Sequence, residues 1–183
     1  PSGRAEHSQT RRHLTAFTHV EAEWAQVMSL EHHCEKLQTM LCGIFKKFAV
    51  KAAKLLEKMK LTEHVARLVA MCDDVMMLSE KKEHFEERDD IPEMQERALI
   101  DRIGRVVFLH SFPKEFKSFY MGLCEGDDTR VDGVDVEFPG VGEIVGSGRR
   151  ESDYERLLAR IKEAGLDPAV YREYLDLRKY GHH

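Results

Sequence analysis

VDGVDVEF, residues 131–138, and EIVGSGRR, residues 143–150, decide the fold of this chain. In both stretches β-branched residues alternate with small or polar ones, and the Pro-Gly pair at 139–140 is a turn signal, so together they predict a β-hairpin. RVVFL, residues 105–109, and the stretch 116–123 predict two earlier strands. Because the connections are short, we expect these strands to form one antiparallel sheet.

The rest of the chain has the periodicity of amphipathic helices. Apolar residues recur every three or four positions over residues 29–60, which predicts one long helix or two. A threonine can cap the next helix, over residues 62–78, and shorter helices are expected over residues 90–104 and 152–165 and from residue 167 onward. The predicted fold class is therefore α+β, an antiparallel sheet flanked by helices.

Composition and charge disfavour several classes of protein. The 183 residues carry 28 basic and 33 acidic side chains, a net charge of −5, whereas proteins that wrap nucleic acid electrostatically are usually basic. No uncharged apolar run reaches the roughly 18 residues of a membrane-spanning helix, and the first residues lack the apolar core of a signal peptide. We therefore expect a cytoplasmic protein that does not associate with a membrane.

The cysteines do not indicate a disulfide framework or a zinc site. The four of them are scattered and form no CxxC pair. His32, His33 and Cys34 are adjacent, but they lie in a helical stretch, where neighbouring side chains point in different directions. We expect these three residues to be structural.

Three groups of residues could bind a ligand. The first is a basic segment that contains Arg4, Arg11, Arg12 and His13 and is followed by Phe17. Arginine presents planar donors suited to phosphate, and the aromatic ring could stack on a flat base. The alternative is a solvated hairpin loop, because a strand, a basic loop and a returning strand are the expected local structure.

The second and third groups lie on the predicted hairpin. Asp135 and Glu143, on consecutive strands, could place two carboxylates on one side of the sheet, where Mg²⁺ can bind with phosphate oxygens; a structural salt bridge is the alternative. The glycines of GSGRR, residues 146–150, permit close approach of a ligand and its arginines can hold an anion, although this sequence is also a plausible turn. Together the three groups supply phosphate binding, metal bridging and base stacking, which nucleotide activation requires.

Four ordered segments resemble the class II aminoacyl-tRNA synthetases, in particular the asparaginyl/aspartyl subgroup. RAEHSQTRRHLTAFTHVEAE, residues 4–23, is similar to motif 2 of that family. FPKEFKSFYM, residues 112–121, resembles the asparaginyl form, as do VDV at 134–136 and VGEIVG at 141–146. RKYG, residues 178–181, resembles the segment that leads into motif 3.

The resemblance implies ATP-dependent activation of asparagine to an aminoacyl-adenylate, followed by transfer to tRNA. By the family pattern, Arg4 is the catalytic arginine and binds the α-phosphate of ATP while that phosphate is attacked. Arg12 and His13 are expected at the β- and γ-phosphates, and Phe17 is expected to stack on adenine. Glu6 corresponds to an acidic residue beside ATP and the tRNA end.

On the hairpin, the resemblance assigns Asp135 and Glu143 to Mg²⁺, and Glu143 also to ATP. Arg150 matches the arginine that binds the side chain of the amino acid, and Ser147 is expected in the same amino-acid site. The implied cofactors are ATP and Mg²⁺. The implied partners are asparagine, tRNA and, for the full-length protein, a second copy in a homodimer.

The same pattern predicts how the chain is organised. Residues 1–24 correspond to motif 2, residues 29–88 approximately to a helical insertion, and residues 89–181 approximately to the sheet and C-terminal helices. Motif 1, motif 3 and the anticodon-binding domain have no counterpart in the sequence. We therefore expect residues 1–183 to be a partial catalytic domain that is not active alone.

Two alternatives remain open. One is an aspartyl-type synthetase or a related asparagine synthetase; the KSFYM and VGEIVG sequences favour asparagine-linked chemistry. The other is a non-catalytic paralogue that acts as a binding module. Gly3 and Ala16, which replace an aromatic residue and a glutamate of motif 2, favour the paralogue, as does the missing counterpart of motif 3. The retained arginines, carboxylates and Phe17 argue against it.

Overall fold

The computed structural model describes residues 2–3, 16–25, 29–79 and 93–181. Its elements, in chain order, are β1 (Ser2–Gly3), β2 (Ala16–Phe17), α1 (Leu30–Lys51), α2 (Ala53–Met59), α3 (Thr62–Asp73), β3 (Met76–Ser79), α4 (Glu93–Ile103), β4 (Val107–Pro113), β5 (Leu123–Cys124), β6 (Asp127–Phe138), β7 (Gly142–Gly148), α5 (Tyr154–Glu163) and α6 (Arg172–Lys179). The α+β class is confirmed. Among the helices within these ranges, none combines the length and apolar character needed to cross a membrane.

A five-stranded sheet forms the centre of the molecule, with the long strand β6 pairing on both of its edges. β4 pairs antiparallel with one edge of β6. β5 and β7 pair antiparallel with the other edge of β6, and β3 pairs with the outer edge of β4. The predicted hairpin is confirmed as β6 and β7, joined by a turn at Gly140, whose φ of 74° favours glycine. Separately, β1 pairs antiparallel with β2, which confirms the outgoing and returning strands predicted near the N-terminus.

One helix prediction and one strand prediction were wrong. Residues 76–79 form β3, which pairs parallel with β4, although we expected a helix to continue to residue 78. Helix α3 ends at Asp73, and Leu78 is buried under α4, so sheet pairing and burial override the helical period. Of residues 116–123, only Leu123 joins a strand; a 3₁₀ turn over Lys114–Phe116 comes before it, and the aromatic side chains between pack away from the sheet.

Apolar layers cover both faces of the sheet. On one face α1 and α3 pack against alternate residues of β4 and β6. The buried residues of this layer, from the helices and from the sheet together, are Cys34, Leu37, Leu41, Cys42, Cys72, Val106, Phe108, Val134, Val136 and Phe138. On the other face α4 packs against the sheet, and the buried residues of this layer are Leu78, Ile100, Val107, Leu109, Phe112 and Val131. Because side chains alternate along a strand, Asp135 belongs to this second face.

The C-terminal helices form a third cluster. Leu157, Ile161 and Leu175 are buried among aromatic side chains that include Phe119 and Tyr120. Asp153 caps α5 by accepting a hydrogen bond from the backbone N–H of Arg156, 2.8 Å away. This cluster fixes the segment that leads into the functional site.

Candidate functional site

The two predicted metal-binding carboxylates converge on one glycine of the hairpin. Asp135 on β6 lies opposite Gly146 on β7. A Cβ atom built on Gly146 would lie 2.7 Å from Oε1 of Glu143 and 3.7 Å from Oδ1 of Asp135. Both carboxylates therefore reach the space that a side chain at residue 146 would fill.

A β-bulge explains how Glu143 reaches this face. Val136 pairs with Val145, but the next residue of β6, Glu137, pairs with Glu143, so Ile144 is an extra residue in β7. In a regular strand, residues 143 and 146 would face opposite sides of the sheet. The extra residue reverses that alternation and brings Glu143 to the side of Gly146, the kind of re-aiming that bulges produce near functional sites.

Lys117 completes this group, and the sequence analysis did not select it. Its Nζ lies 2.6 Å from Oδ2 of Asp135, and the two side chains are 23% and 12% exposed. The same Nζ lies 3.7 Å from the centroid of the Phe112 ring, so a cation–π contact holds it from a second side. The sequence does hold a signal for this residue, a cation beside aromatic residues in KSFYM, but only the fold shows that it meets Asp135.

Arg150 lies farther along β7, two residues beyond its last strand residue. Its guanidinium stacks on the ring of Tyr120, 4.5 Å from the centroid, and its Nη2 donates to Oε1 of Glu23 over 3.2 Å. Burial lowers the pKa of Arg150, but hydrogen bonds to Glu23 and Tyr120 outweigh burial and raise it. By strand alternation Arg150 extends from the same face as Gly146.

Glu23 is a second residue that sequence reasoning missed. It lies at the end of the segment after β2, which we expected to alternate as a strand to residue 23, although only Ala16–Phe17 do so. The ion pair between Glu23 and Arg150 joins residues 127 positions apart in the chain. It brings the end of the motif 2 segment to the hairpin and places an acceptor beside the arginine.

Ser147 does not join these residues. It pairs with Val134, so it faces α1 on the opposite side of the sheet from Asp135. Its hydroxyl donates to the Val134 carbonyl over 2.8 Å and lies 2.9 Å from Nε2 of His33. Burial lowers the pKa of His33, with partial opposition from Asp132.

The remaining predicted residues belong to the N-terminal segment. Phe17 is half-buried on β2, and its ring centroid lies 6.0 Å from that of His19. Arg4, Glu6, Arg12 and His13 lie outside the described residues, so their roles remain predictions.

The two carboxylates of Asp135 and Glu143 fit a magnesium ion. Mg²⁺ is commonly held by one or two carboxylates, with water and substrate phosphates as its other ligands, and Oδ1 of Asp135 and Oε1 of Glu143 face the same space. The part of the chain that the structure describes contains no group of three or more His, Cys, Asp and Glu side chains able to hold a metal. A two-carboxylate site of this kind suits a metal that arrives with phosphate ligands.

Comparisons with known proteins identify the family and agree with the fold. The family model described as tRNA synthetases class II (D, K and N) matches residues 1–183. The cytoplasmic asparagine–tRNA ligase of Mus musculus is 40% identical over 191 residues, covering 98% of this chain and 34% of that protein. The asparagine–tRNA ligase of Pyrococcus furiosus is 37% identical and covers 99% of this chain and 43% of that protein.

A solved structure gives the same result. The asparaginyl-tRNA synthetase of Entamoeba histolytica, in complex with asparaginyl-adenylate, matches with a TM-score of 0.81 and 30% identity over 98% of this chain and 43% of that one. The chain thus spans well under half the length of each of these three proteins.

Proposed function

Because the chain belongs to the class II tRNA synthetases (D, K and N), we propose that the whole protein is an asparagine–tRNA ligase. It activates asparagine with ATP to an aminoacyl-adenylate and transfers the asparaginyl group to tRNA. One observation carries the proposal: Asp135, Glu143 and Arg150 lie along one face of the β6–β7 hairpin. This face can hold the phosphates of ATP and the amino acid side by side.

The carboxylate end of the face serves the nucleotide. In the first step the carboxylate of asparagine attacks the α-phosphate of ATP, an acyl–phosphate bond forms, and pyrophosphate leaves. Asp135 and Glu143 hold Mg²⁺, which, when bound, neutralises charge on the phosphate oxygens. From the family resemblance, Arg4 stabilises the charge that develops at the α-phosphate, and Arg12, His13 and Phe17 position the rest of the nucleotide, with Glu6 beside the tRNA end.

The arginine end of the face serves the amino acid. The side chain of asparagine carries a carbonyl oxygen, which accepts hydrogen bonds, and an NH₂ group, which donates them. Arg150 can donate to the oxygen while Glu23, 3.2 Å from it, accepts from the NH₂ group. An aspartate side chain would place a second carboxylate against Glu23, so this pair favours asparagine over aspartate. Ser147 lies on the other face of the sheet, where its hydrogen bond to the Val134 carbonyl stabilises the pairing of β7 with β6.

Further features of the whole protein follow from its relatives. We place it in the cytoplasm, because the Mus musculus relative is named a cytoplasmic enzyme. We expect it to act as a homodimer with tRNA as its second substrate. The Glu23–Arg150 pair disfavours an aspartyl-type enzyme, and the converging carboxylates of Asp135 and Glu143 disfavour a non-catalytic paralogue.

The proposal is tested by asparagine-dependent exchange of radiolabelled pyrophosphate into ATP, measured on the whole protein that contains this chain. Exchange that requires asparagine and is not supported by aspartate is the expected result. Exchange with aspartate in preference would assign the aspartyl function. Absence of exchange with either amino acid, by a folded protein, would leave the paralogue as the correct interpretation.

A further inference from the structure

We propose that Lys117 prevents the Asp135–Glu143 site from binding a divalent cation by itself, so that the metal enters only together with a polyphosphate. This inference rests on the proposed function, because it concerns the same metal site. It assigns to Lys117 a positioning and selectivity role that the motif resemblance did not give it.

The position of Lys117 is fixed from two sides. Its Nζ lies 2.6 Å from Oδ2 of Asp135 and 3.7 Å from the centroid of the Phe112 ring. Phe112 is itself buried, 4% exposed, in the layer under α4. Lys117 follows the 3₁₀ turn Lys114–Phe116, which carries the chain away from β4 and back over the hairpin. A long, flexible side chain is thus held where it touches the carboxylate.

The charges at the site explain the consequence of this contact. Asp135 and Glu143 carry two negative charges and Lys117 one positive charge, so the three side chains together have a net charge of only −1. Oδ2 of Asp135 binds the ammonium group while Oδ1 faces the space beside Gly146. A bare divalent cation in that space would be separated from the positive charge of Lys117 only by the carboxylate group of Asp135. The two positive charges would repel each other, because charges in these surroundings are only partly screened.

A polyphosphate reverses the sign of this interaction. Its oxygens bring several negative charges that are attracted by both the metal and the ammonium group. An ammonium group has three N–H donors, and the bond to Asp135 needs one of them. Lys117 therefore weakens binding of the metal without nucleotide and strengthens binding of the metal–nucleotide complex. As a result, the metal and the nucleotide each bind more tightly when the other is present.

A merely structural ion pair predicts the opposite response to mutation. If Lys117 only held Asp135 in place, its removal would disorder the carboxylate and weaken metal binding. If its charge excludes the bare cation, its removal strengthens metal binding in the absence of nucleotide. The direction of the change separates the two roles.

The experiment measures Mn²⁺ binding to the chain by the electron paramagnetic resonance signal of free Mn²⁺, without nucleotide and then with ATP. Lys117→Met keeps a side chain of similar length and removes the charge, and Lys117→Arg is the matched control that keeps the charge. We expect Lys117→Met to bind Mn²⁺ about ten-fold more tightly than the wild type without nucleotide, and Lys117→Arg to resemble the wild type. Adding Glu143→Gln to Lys117→Met should remove the gain, which locates the ion at this site.

Other outcomes overturn the inference. Equal or weaker Mn²⁺ binding by Lys117→Met, with unchanged thermal unfolding, would show that Lys117 is only a structural partner of Asp135. If Lys117→Met does not fold, Lys117→Gln is compared in the same way, with the same criterion. Failure of the wild type to retain Mn²⁺ even with ATP, while ATP itself binds, would mean that the metal site of the proposed function is wrong as well. Retention with ATP but no effect of Lys117→Met would reject this inference alone.

Discussion

Replacing Gly146 by alanine tests the geometry of the carboxylate site without disturbing the fold. The added Cβ would lie 2.7 Å from Oε1 of Glu143, closer than real Cβ contacts, so one of the two must move. The atom it meets is the end of an exposed, flexible side chain, and Glu143 can turn away. The main effect is therefore displacement of Glu143 from the space it shares with Asp135.

The expected effect on stability is small. Gly146 is not among the glycines with positive φ, so alanine can adopt its backbone conformation. An alanine at a compatible site stabilises by about 0.4–1 kcal/mol through the unfolded state, and a strained rotamer of Glu143 would cost about 0.5–1.5 kcal/mol. The two contributions nearly cancel, so the free energy of unfolding should change by less than about 1 kcal/mol.

The expected effect on ligand binding is much larger. Moving a positioned group by about 1 Å can cost on the order of 100-fold in function. Thermal unfolding and Mn²⁺ retention in the presence of ATP are measured on the same preparations. The expected result for Gly146→Ala is a melting temperature close to that of the wild type together with a loss of Mn²⁺ retention of about 10- to 100-fold.

Gly148→Ala is the matched control on the same strand. Its Cβ would meet backbone atoms, the Asp132 carbonyl oxygen at 3.3 Å and Cα of Gly133 at 3.4 Å, which cannot turn away. We expect that variant to lose stability instead. Unchanged Mn²⁺ retention by a well-folded Gly146→Ala protein would refute the assignment of the carboxylate pair to the metal.

Three further predictions concern other parts of the molecule. Gly43→Ala should raise the free energy of unfolding by roughly 0.5–1 kcal/mol in a urea titration, because residue 43 lies inside α1 and its Cβ would meet nothing within 4 Å; destabilisation would contradict this. Ser147→Ala should lower the free energy of unfolding by about 1 kcal/mol, because it removes the hydrogen bonds to His33 and to the β6 carbonyl. The affinity for an adenylate mimic, measured by calorimetry, should stay unchanged; a weakened affinity would show that Ser147 belongs to the amino-acid site. Burial raises the pKa of the Cys34 thiol to about 12 and that of Cys72 to about 11, so the unfolded chain loses these protons first as the pH rises. These two thiols make no pH-dependent contribution to stability below about pH 8.5, and above it urea titrations should show the free energy of unfolding falling as the pH rises toward 11. Cys72→Ala should flatten that decline.

The hairpin and its carboxylates could be predicted from the sequence because their signals are local. Alternation and a Pro-Gly turn define β6 and β7, and residues on paired strands are brought together by the pairing itself. For this reason Asp135 lies on a strand that the sequence predicts. A regular register would have put Glu143 on the other face; the bulge at Ile144 brings it to the side of Asp135, and no local sequence pattern predicts that bulge.

The contacts that depend on tertiary structure could not be predicted. Residues 76–79 have helical character and become a parallel strand only because β4 is available beside them. Lys117 meets Asp135 and Glu23 meets Arg150 through turns that carry distant segments to the hairpin. The periodicity of a single sequence does not predict such long-range contacts.

The central claim is that the face containing Asp135, Glu143 and Arg150 binds an aminoacyl-adenylate and selects the amide. It is tested most directly by calorimetric titration of this chain with non-hydrolysable asparaginyl- and aspartyl-adenylate mimics in the presence of Mg²⁺, with Arg150→Leu as the control variant. We predict that the asparaginyl mimic binds more tightly than the aspartyl one and that Arg150→Leu weakens it. Equal or stronger binding of the aspartyl mimic, or binding of neither mimic by the folded chain, would contradict the account.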